Sequence, residues 1–473
     1  MNLKKFSLIA LIAAMSSTAF GASIDHIQNY TAEYNANPAQ QAAISATTSP
    51  FFNPAGLMRL PNGTYFTGGL QMALGEEKMK YGGEEYSADL AAPIPNFAIF
   101  KKTDDRTYFW TFSGIAGGGD LEYKDGVAGI AVLEDALPAL PMGKNLGVIN
   151  GLDTHGSWAE GENMYGQTTI GMAWNVTNKL SMSVGARAVY GWRKLEAELN
   201  AKADRIAMVD SSTMKPTGNY LTDVKAHAYM DAERTAWGFG GQIGLNYAAN
   251  DTWNFAMRYD SKVRMTFESD ASSKEVTING KINGQIPTEI APGLGFEDFF
   301  PQYKDGSKYR RDLPAILALG ASQKVTDRWT MFYGFNYYFN ESARIDKDVN
   351  YSLPGGLSNE VKDMEYDNGW EISIGTEYWI NDKFAILGGA NYADTGAPED
   401  SYSDVEYALN SFMVGLGVKY RPDEDTEWVV ATNHYFYEST DGNFSKKYTA
   451  PGVSNQRYDK DITSIGFSYT KRF

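Results

Sequence analysis

Fourteen segments of the chain alternate between apolar and polar residues with a period of two, which is the pattern of β-strands. Each has about ten residues or more, the length that a tilted strand needs to cross a bilayer. In residues 179–194, for example, apolar side chains such as Met182 alternate with polar ones such as Ser183. The predicted strands are residues 63–75, 92–101, 107–117, 164–176, 179–194, 234–248, 251–267, 312–325, 328–341, 367–380, 383–395, 404–420, 427–438 and 461–473.

The connections between these segments differ in length in a regular way. Turns such as 176–178 and 381–382 alternate with long connections such as 118–163 and 195–233. Short turns on one side and long loops on the other are typical of outer-membrane barrels, which close with an even number of strands. We therefore predict an all-β fold: a 14-stranded antiparallel transmembrane β-barrel over residues 63–473, in the outer membrane of a Gram-negative-type bacterium, with both termini periplasmic.

Residues 1–21 have the features of a signal peptide. Lys4 and Lys5 precede the apolar run Phe6–Met15, and small residues lead to a cleavage site after Gly21. This run is too short for a membrane span, which takes about 20 residues. We therefore predict that the chain is exported and that the mature protein begins at residue 22.

The composition excludes several classes of function. A formal net charge of −16 argues against a nucleic-acid partner, because binding phosphates needs clustered basic residues. The chain has no cysteine, so it forms neither disulfides nor thiolate metal sites. Its four histidines show no metal-ligand spacing and lie near no nucleophile motif. We expect neither a metal nor a cofactor, and we do not expect an enzyme.

Residues 22–62, between the predicted signal peptide and the first strand, do not alternate. A barrel of this size leaves a wide lumen unless something fills it. Phe51, Phe52 and Leu57 favour an ordered segment, since disordered tails are usually poor in such residues. We predict that residues 22–62 fold into the lumen as a hatch, or plug. The alternative is a disordered leader or a periplasmic tether.

Three short motifs stand out: Asn53-Pro54-Ala55-Gly56 just before the first strand, Leu313–Gly320 in mid-barrel and the terminal aromatic Phe473. Together they resemble motifs of the FadL family of outer-membrane transporters for long-chain fatty acids and other hydrophobic compounds. The mid-barrel segment Leu313–Gly320 is similar to the family's Leu-Pro-x-x-x-x-Leu-Gly strand, and the last strand ends in the aromatic Phe473. Such an ending is also typical of the signal read by the barrel-assembly machinery, which we expect as a partner. The residues that resemble the family's hatch motif are Asn53, Pro54, Ala55 and Gly56.

The resemblance implies a route for the transported molecule: capture at the outer loops, descent to a site near the hatch, and lateral exit through a gap in the barrel wall. Glycine permits the bulges and bends that such a gap needs. The third predicted strand carries a suitable cluster, and the alternative is that the chain simply enters a loop after Ala116. The candidate kink residues are Gly114, Gly117, Gly118 and Gly119.

Two apolar loop segments are candidates for outer capture. The first, Val127–Leu140, places its leucines and isoleucine near helical spacing, and the second lies within 290–300. Exposed apolar clusters often mark binding surfaces, but the same residues could instead pack together to close the mouth of the barrel. The candidate residues are Ile130, Leu133, Leu137, Leu140, Phe296, Phe299 and Phe300.

A fatty-acid carboxylate would be bound by a basic side chain in the lumen, where charge-assisted hydrogen bonds are strong. Strand parity points Arg187 and Arg258 inward, and we select them as ligand candidates. The alternative is that each is paired with an acid for structural reasons, such as Asp260.

Together these observations predict a monomer that imports hydrophobic molecules, most of all long-chain fatty acids, by passive diffusion in contact with outer-membrane lipid. Two alternatives stay open at this point. One is a general or gated porin for polar solutes, and the other is a surface adhesin whose long loops bind host or matrix components.

Overall fold

The backbone forms one closed ring of fourteen antiparallel strands, in which each strand pairs with its neighbours in sequence and the last pairs with the first. The computed structural model describes residues 30–139, 149–209, 216–272, 276–289, 305–346, 366–398, 402, 407–448 and 451–473. The strands are β1 (Gly63–Tyr81), β2 (Glu84–Lys102), β3 (Arg106–Tyr123), β4 (Trp158–Asn175), β5 (Leu180–Val209), β6 (Pro216–Ala248), β7 (Trp253–Asp260), β8 (Ile316–Thr326), β9 (Trp329–Tyr338), β10 (Gly369–Trp379), β11 (Phe384–Asp394), β12 (Ser411–Asp423), β13 (Thr426–Tyr437) and β14 (Arg457–Arg472). The predicted 14-stranded barrel is confirmed. The predicted signal peptide lies outside the described residues.

Several strands end elsewhere than predicted. Residues 195–233, expected to be a loop, largely continue β5 and β6, whose pairing extends to Val209 and Pro216. Residues 76–91 likewise form the end of the β1–β2 hairpin. Conversely, β7 ends at Asp260, and a separate strand, Thr266–Ala271, pairs with β6. The extended parts were missed because strands beyond the lipid do not need an apolar face, so their alternation fades.

The two faces of the barrel wall differ as the alternation predicts. In β6, Trp237 and Phe239 are 62% and 72% exposed, whereas Gln242 and Asn246 are buried. The exposed aromatic and aliphatic side chains face outward, where lipid covers them, and the polar side chains face the lumen.

The part of the hatch that the structure describes, residues 30–62, lies inside this ring. Its elements are α1 (Ala32–Ala36), α2 (Ser49–Phe52) and a 3₁₀ helix (Pro54–Arg59). Almost every residue from 30 to 58 is buried. Because α1 contacts β11–β14 and the 3₁₀ helix contacts β4–β6, the segment crosses the lumen from one side of the wall to the other.

One arc of the wall accommodates the hatch through a row of inward-facing glycines, which we call the glycine belt. A Cβ atom at Gly415 would overlap the carbonyl oxygen of Asn35, and one at Gly320 would lie 2.6 Å from the backbone nitrogen of Ala42. Several members face each other across the strands, as Gly389 and Gly415 do. The belt comprises Gly320, Gly334, Gly375, Gly389, Gly415 and Gly466.

Helices at the long-loop end cover the mouth of the barrel. The helix α3 (Ala128–Ala139) packs against β1, and α4 (Phe444–Tyr448) precedes β14. A further 3₁₀ turn, Asn340–Ser342, follows β9. None of the helices in the described residues combines the length and the apolar character needed to cross a membrane.

Candidate functional site

The pairing between β2 and β3 stops partway along both strands. It runs from Lys102 opposite Thr107 to Asn96 opposite Ser113, and no β2–β3 pair follows in the described residues although both strands continue. In this part β2 carries Pro93 and Pro95, which have no backbone N–H to donate. The barrel wall therefore has a lateral gap, which we define as the unpaired stretch beyond Asn96 and Ser113.

The other edge of the gap is bent by glycines. The register of β3 against β4 shifts between Gly114 and Ala116 and again between Ala116 and Gly119. Gly117 has a φ of 124° and Gly119 one of 72°, conformations that side chains disfavour. The candidate kink residues, including Gly118 between these two, thus lie at the interruption. The alternative of a loop after Ala116 is wrong, because β3 continues to Tyr123.

A cavity of about 180 Å³ lies at the lateral gap. Its wall is mostly apolar, and both edges of the gap contribute to it through β2 and β3. Charged side chains from β1, β4, β5, β6 and β14 line other parts of it. The apolar residues include Leu90, Ala92, Ile94, Phe112, Ile115 and Leu121, and the charged ones are Glu77, Glu162, Arg193, Lys194, Arg234 and Lys460.

Two of these charged residues face each other directly. Arg193 of β5 and Arg234 of β6 are cross-strand partners, and both side chains are buried. Like charges in opposite positions repel each other, and the Arg234 guanidinium also lies 5.2 Å from the centre of the Tyr309 ring. Nearby, Lys460 Nζ lies 3.0 Å from Glu77 Oε1 in a buried ion pair.

The two arginines selected from the sequence have other surroundings. The Nε and Nη2 atoms of Arg187 donate to Gln167 Oε1 at 3.0 and 2.7 Å. Arg258 lies 3.2 Å from Asp260 and donates to the carbonyl oxygen of Phe51 at 2.6 Å. Neither lines the cavity at the gap, so the geometry supports the structural alternative, and Arg258 ties the hatch to β7.

Neither Arg193 nor Arg234 was selected from the sequence. The signal was present in the chain, because the two residues lie at the adjoining ends of the consecutive predicted strands 179–194 and 234–248, which pair with each other. The register of this pairing was not worked out, so the pair was not predicted.

The candidate capture residues are only partly described. The predicted helical spacing corresponds to α3, in which Ile130 and Leu133 are buried in the main apolar cluster. Their burial favours closure of the mouth over an exposed capture surface. The side chain of Leu137 and the residues Leu140, Phe296, Phe299 and Phe300 lie outside the described residues.

The hatch motif joins the hatch to β5 and β6. The side chain of Asn53 accepts from Gly56 N at 3.1 Å and donates to Asn246 Oδ1 at 2.8 Å. The carbonyl oxygen of Ala55 accepts from Ser181 Oγ at 2.7 Å, and Pro54 begins the 3₁₀ helix. The motif thereby caps a helix and binds two strands at once.

Glu134, Asp153 and His155 are close enough together to hold a metal ion. However, Glu134 Oε1 accepts from both Thr154 N and Thr154 Oγ1 at 2.7 Å, and the His155 ring lies 2.7 Å from Asp153. Hydrogen bonding to Asp153 raises the pKa of His155. These contacts fasten a loop to α3, so the group has a structural use without a metal. A second acidic group comprises Asp120, Glu160 and Glu162.

A closed ring of strands with an apolar outer face, a filled lumen and a lateral gap defines a hatch-bearing barrel of the outer membrane. Residues 159–473 match the family model described as outer membrane protein transport protein (OMPP1/FadL/TodX), and the chain belongs to this family. The predicted resemblance is confirmed, as is the prediction of a transport protein and not an enzyme. The match begins in β4, so the hatch and the edges of the gap lie outside it.

Solved structures share the fold over nearly the whole chain. A FadL homologue from Pseudomonas aeruginosa is 11% identical with a TM-score of 0.64, over 96% of this chain and 100% of its own. The toluene transporter TodX of P. putida is 18% identical with a TM-score of 0.62, over 94% and 99%. At these identities the likeness establishes the fold alone.

Curated relatives match over shorter stretches. Outer membrane protein P1 of Haemophilus influenzae is 25% identical over 207 residues, 41% of this chain and 39% of the relative. A long-chain fatty acid transport protein of Salmonella typhi is 24% identical over 175 residues, 37% of this chain and 36% of the relative. Less than half of each relative is therefore covered.

Proposed function

We propose that the protein imports hydrophobic molecules, with long-chain fatty acids as the preferred substrate, and releases them sideways into the membrane through the lateral gap. The observation that carries this proposal is the interrupted pairing beyond Asn96 and Ser113, beside an apolar cavity. A solute that leaves by this route stays in apolar surroundings, which is favourable by about 25 cal/mol per Å² of apolar surface kept from water.

Because the hatch fills the lumen, a transported molecule needs a route through the barrel wall. Buried contacts such as Asn53 with Asn246 and Gln41 with Asn336 fix the segment across the lumen. We propose that residues 22–62 act as the plug that blocks axial flow, which argues against an open porin for polar solutes. Transport then needs no energy-coupling segment and proceeds down a gradient.

The choice of a fatty acid depends on the pair Arg193 and Arg234. A carboxylate placed between them would accept charge-assisted hydrogen bonds, while its acyl chain would lie along the apolar side of the cavity. An aromatic hydrocarbon, the substrate named for TodX, has no oxygen atom to accept hydrogen bonds from two arginines. The relative from S. typhi is named for long-chain fatty acids, which agrees with this choice.

The outer steps and the partners are part of the same proposal. Capture would involve the loop segments 127–140 and 290–300, with α3 moving from its place over the mouth. Phe473, whose backbone N–H donates to Thr64 at 2.8 Å, is the proposed signal for barrel assembly. The protein would act as a monomer in contact with outer-membrane lipid, with its short turns facing the periplasm.

A reversible lock across the gap tests the route. Because the natural chain has no cysteine, the double substitution Ile94→Cys and Gly114→Cys creates one thiol pair. A Cβ atom at Gly114 would lie 3.9 Å from Ile94 Cα and 3.2 Å from Ile94 Cγ2, so the two positions are in contact across the gap. Cells without their own transporter should take up labelled oleate through the reduced variant and lose this uptake on oxidation.

The matched control places a disulfide between the same two strands where they remain paired. Ala98 and Thr111 are cross-strand partners below the gap, and both are buried. The pair Ala98→Cys and Thr111→Cys should transport equally well when oxidised and reduced. Unchanged uptake by the oxidised gap variant would refute lateral exit, and rapid swelling of liposomes in small sugars would favour the porin.

A further inference from the structure

The hatch carries a single acidic residue in its described part, Glu33 in α1. It is 1% exposed, and it is the only charged residue between positions 27 and 58. Neither of its carboxylate oxygens makes a hydrogen bond of good geometry among the described residues, and only weak contacts with its own backbone and with the Thr47 hydroxyl favour the ionised form. An ionised carboxylate in this position is costly unless a charge or a hydrogen bond compensates it.

The charges around Glu33 are already matched with each other. Lys419 of β12 lies 2.9 Å from Glu377 of β10 and 3.5 Å from Glu427 of β13. Arg421 lies 2.6 Å from the second oxygen of Glu427. Two cations thus face two anions, and ionised Glu33 adds a negative charge with no cation of its own.

The remaining neighbours of α1 do not supply the missing charge. The Thr47 hydroxyl donates to Glu427 at 2.9 Å. The strands β11 and β14 meet this part of the hatch with Gly389 and Gly466, and Gln71 of β1 stands opposite Gly466. The ionisable neighbour on α1 itself, Tyr34, pairs with Asn391 of β11 at 3.3 Å.

Glu33 also lines a cavity of about 550 Å³ on the short-turn side of the hatch. This cavity reaches the turn residues Asn250 and Asp425 and includes Lys419 and Glu427. Water entering from the short-turn side therefore has a polar path up to the hatch beside Glu33, whose carboxylate oxygens are themselves buried in the seated state.

We propose that Glu33 is a proton-binding site that controls how firmly the hatch is seated. A protonated Glu33 is neutral and leaves α1 packed against the glycine belt, whereas an ionised Glu33 favours a displaced hatch in which the carboxylate meets water. This inference requires only that the hatch fills the lumen, and it is independent of the transported substrate.

The direction of the pH dependence follows from the environment of this carboxyl group. Burial raises the pKa of Glu33 from 4.5 to about 7, with Lys419 opposing and Glu427 reinforcing the effect. A group that binds its proton more tightly in the seated state stabilises that state at low pH. The preference for the seated hatch therefore falls between pH 4.5 and pH 7, by up to about tenfold per pH unit, and levels off above pH 7.

Conductance of the purified protein in planar lipid bilayers tests the proposal, compared between the natural chain and Glu33→Gln from pH 4.5 to pH 8. In the natural chain, the open fraction should be low at pH 4.5, rise up to pH 7 and level off above it. In Glu33→Gln, which has the same shape and no titratable proton, it should stay at the low level. An equal pH dependence in both proteins, or none in the natural chain, would overturn the proposal.

A thiol reporter gives an independent reading if the channel events are rare. Ala46 lines the same cavity and is half-buried, so Ala46→Cys reports on hatch displacement through its rate of labelling by a water-soluble reagent. The labelling rate of Ala46→Cys is divided by the labelling rate of the double variant Ala46→Cys with Glu33→Gln. This division removes the pH dependence of the reagent itself. This ratio should rise between pH 4.5 and pH 7 and level off above pH 7, and a constant ratio counts against the proposal. If Glu33→Gln does not fold, Glu33→Asp should retain the pH-dependent labelling.

Discussion

Two arcs of the same barrel use glycine for opposite purposes. Along β8–β14, the glycines of the belt have ordinary extended backbones, and their missing side chains let the hatch backbone reach the wall. In β3, Gly117 and Gly119 have positive φ angles, and the strand pairing breaks around them. A glycine within a regularly paired strand therefore leaves space for the hatch inside an intact wall. A glycine in a left-handed conformation instead interrupts the strand pairing and opens the wall.

The two arcs also differ in how many polar contacts they offer to the segments beside them. The irregular hatch backbone needs partners for its peptide groups, and the sealed side supplies them. Asn254 Nδ2 and Ser322 Oγ, for example, both donate to the carbonyl oxygen of Ala42, at 3.1 and 3.2 Å. At the gap the surroundings are mainly apolar, so nothing comparable holds β2 to β3. The arc β8–β14 is therefore suited to holding the hatch, and the arc at β2 and β3 is suited to the passage of a transported molecule.

Filling the belt should have the largest effect. A Cβ atom at Gly389 would lie 2.8 Å from Pro38 Cδ and from the carbonyl oxygen of Ile374. We expect Gly389→Ala to destabilise the seated hatch by about 3 kcal/mol, the upper range for overpacking, and to raise conductance in planar bilayers. Gly388→Ala is the control, since its nearest contact is 3.6 Å. Equal conductance of the two variants would contradict the role of the belt.

Removing the side chain at the centre of the hatch motif should have a slightly smaller effect. Asn53→Ala loses the hydrogen bond to Asn246 and the cap on Gly56 N, leaving buried polar groups without partners. We expect a loss of about 1–3 kcal/mol in hatch stability, measured by protease sensitivity and conductance. The control Asn62→Ala, at an exposed position, should change neither protease sensitivity nor conductance. If Asn53→Ala also left both unchanged, the motif would not hold the hatch.

Stiffening β3 should close or distort the gap. Alanine at Gly117 costs about 1–2 kcal/mol for its left-handed backbone alone, and its Cβ would overlap the Asn163 carbonyl oxygen. We expect Gly117→Ala to lower oleate uptake severalfold while the protein still reaches the membrane. Gly166→Ala in β4, whose nearest contact is 3.4 Å, is the control. Normal uptake by Gly117→Ala would show that the kink is not needed for transport.

The smallest effect on uptake is expected from a substitution at the charged side of the cavity. This experiment distinguishes a fatty acid from an aromatic hydrocarbon as the substrate. Arg193→Gln removes one of the two opposed arginines, so oleate uptake should fall a few-fold and toluene uptake should not change. The exposed Arg205, replaced by glutamine, should leave both rates as they are. An equal loss for both substrates would mean that Arg193 supports the fold and does not select a carboxylate.

The sequence predicts the ring well because lipid imposes a strict condition on every strand that crosses it. Alternation located all fourteen strands, whereas the hairpin of β5 and β6 outside the bilayer was taken for a loop. The glycines of β3 were found because their cluster is unusual within a strand. The Arg193–Arg234 pair was missed because it depends on the exact register of two consecutive strands, and the burial of Glu33 could not be predicted because it depends on the path of the hatch.

The seam of the barrel has a consequence for how the molecule is made. The strands β1 and β14 are paired from Tyr65 opposite Arg472 to Lys80 opposite Arg457, and Gly466 of this seam lies against Ala32 in the hatch. The hatch thus contacts the strand made last, so its contacts with the wall are complete only once that strand has closed the cylinder. Such contacts between the two ends of the chain predict slow folding.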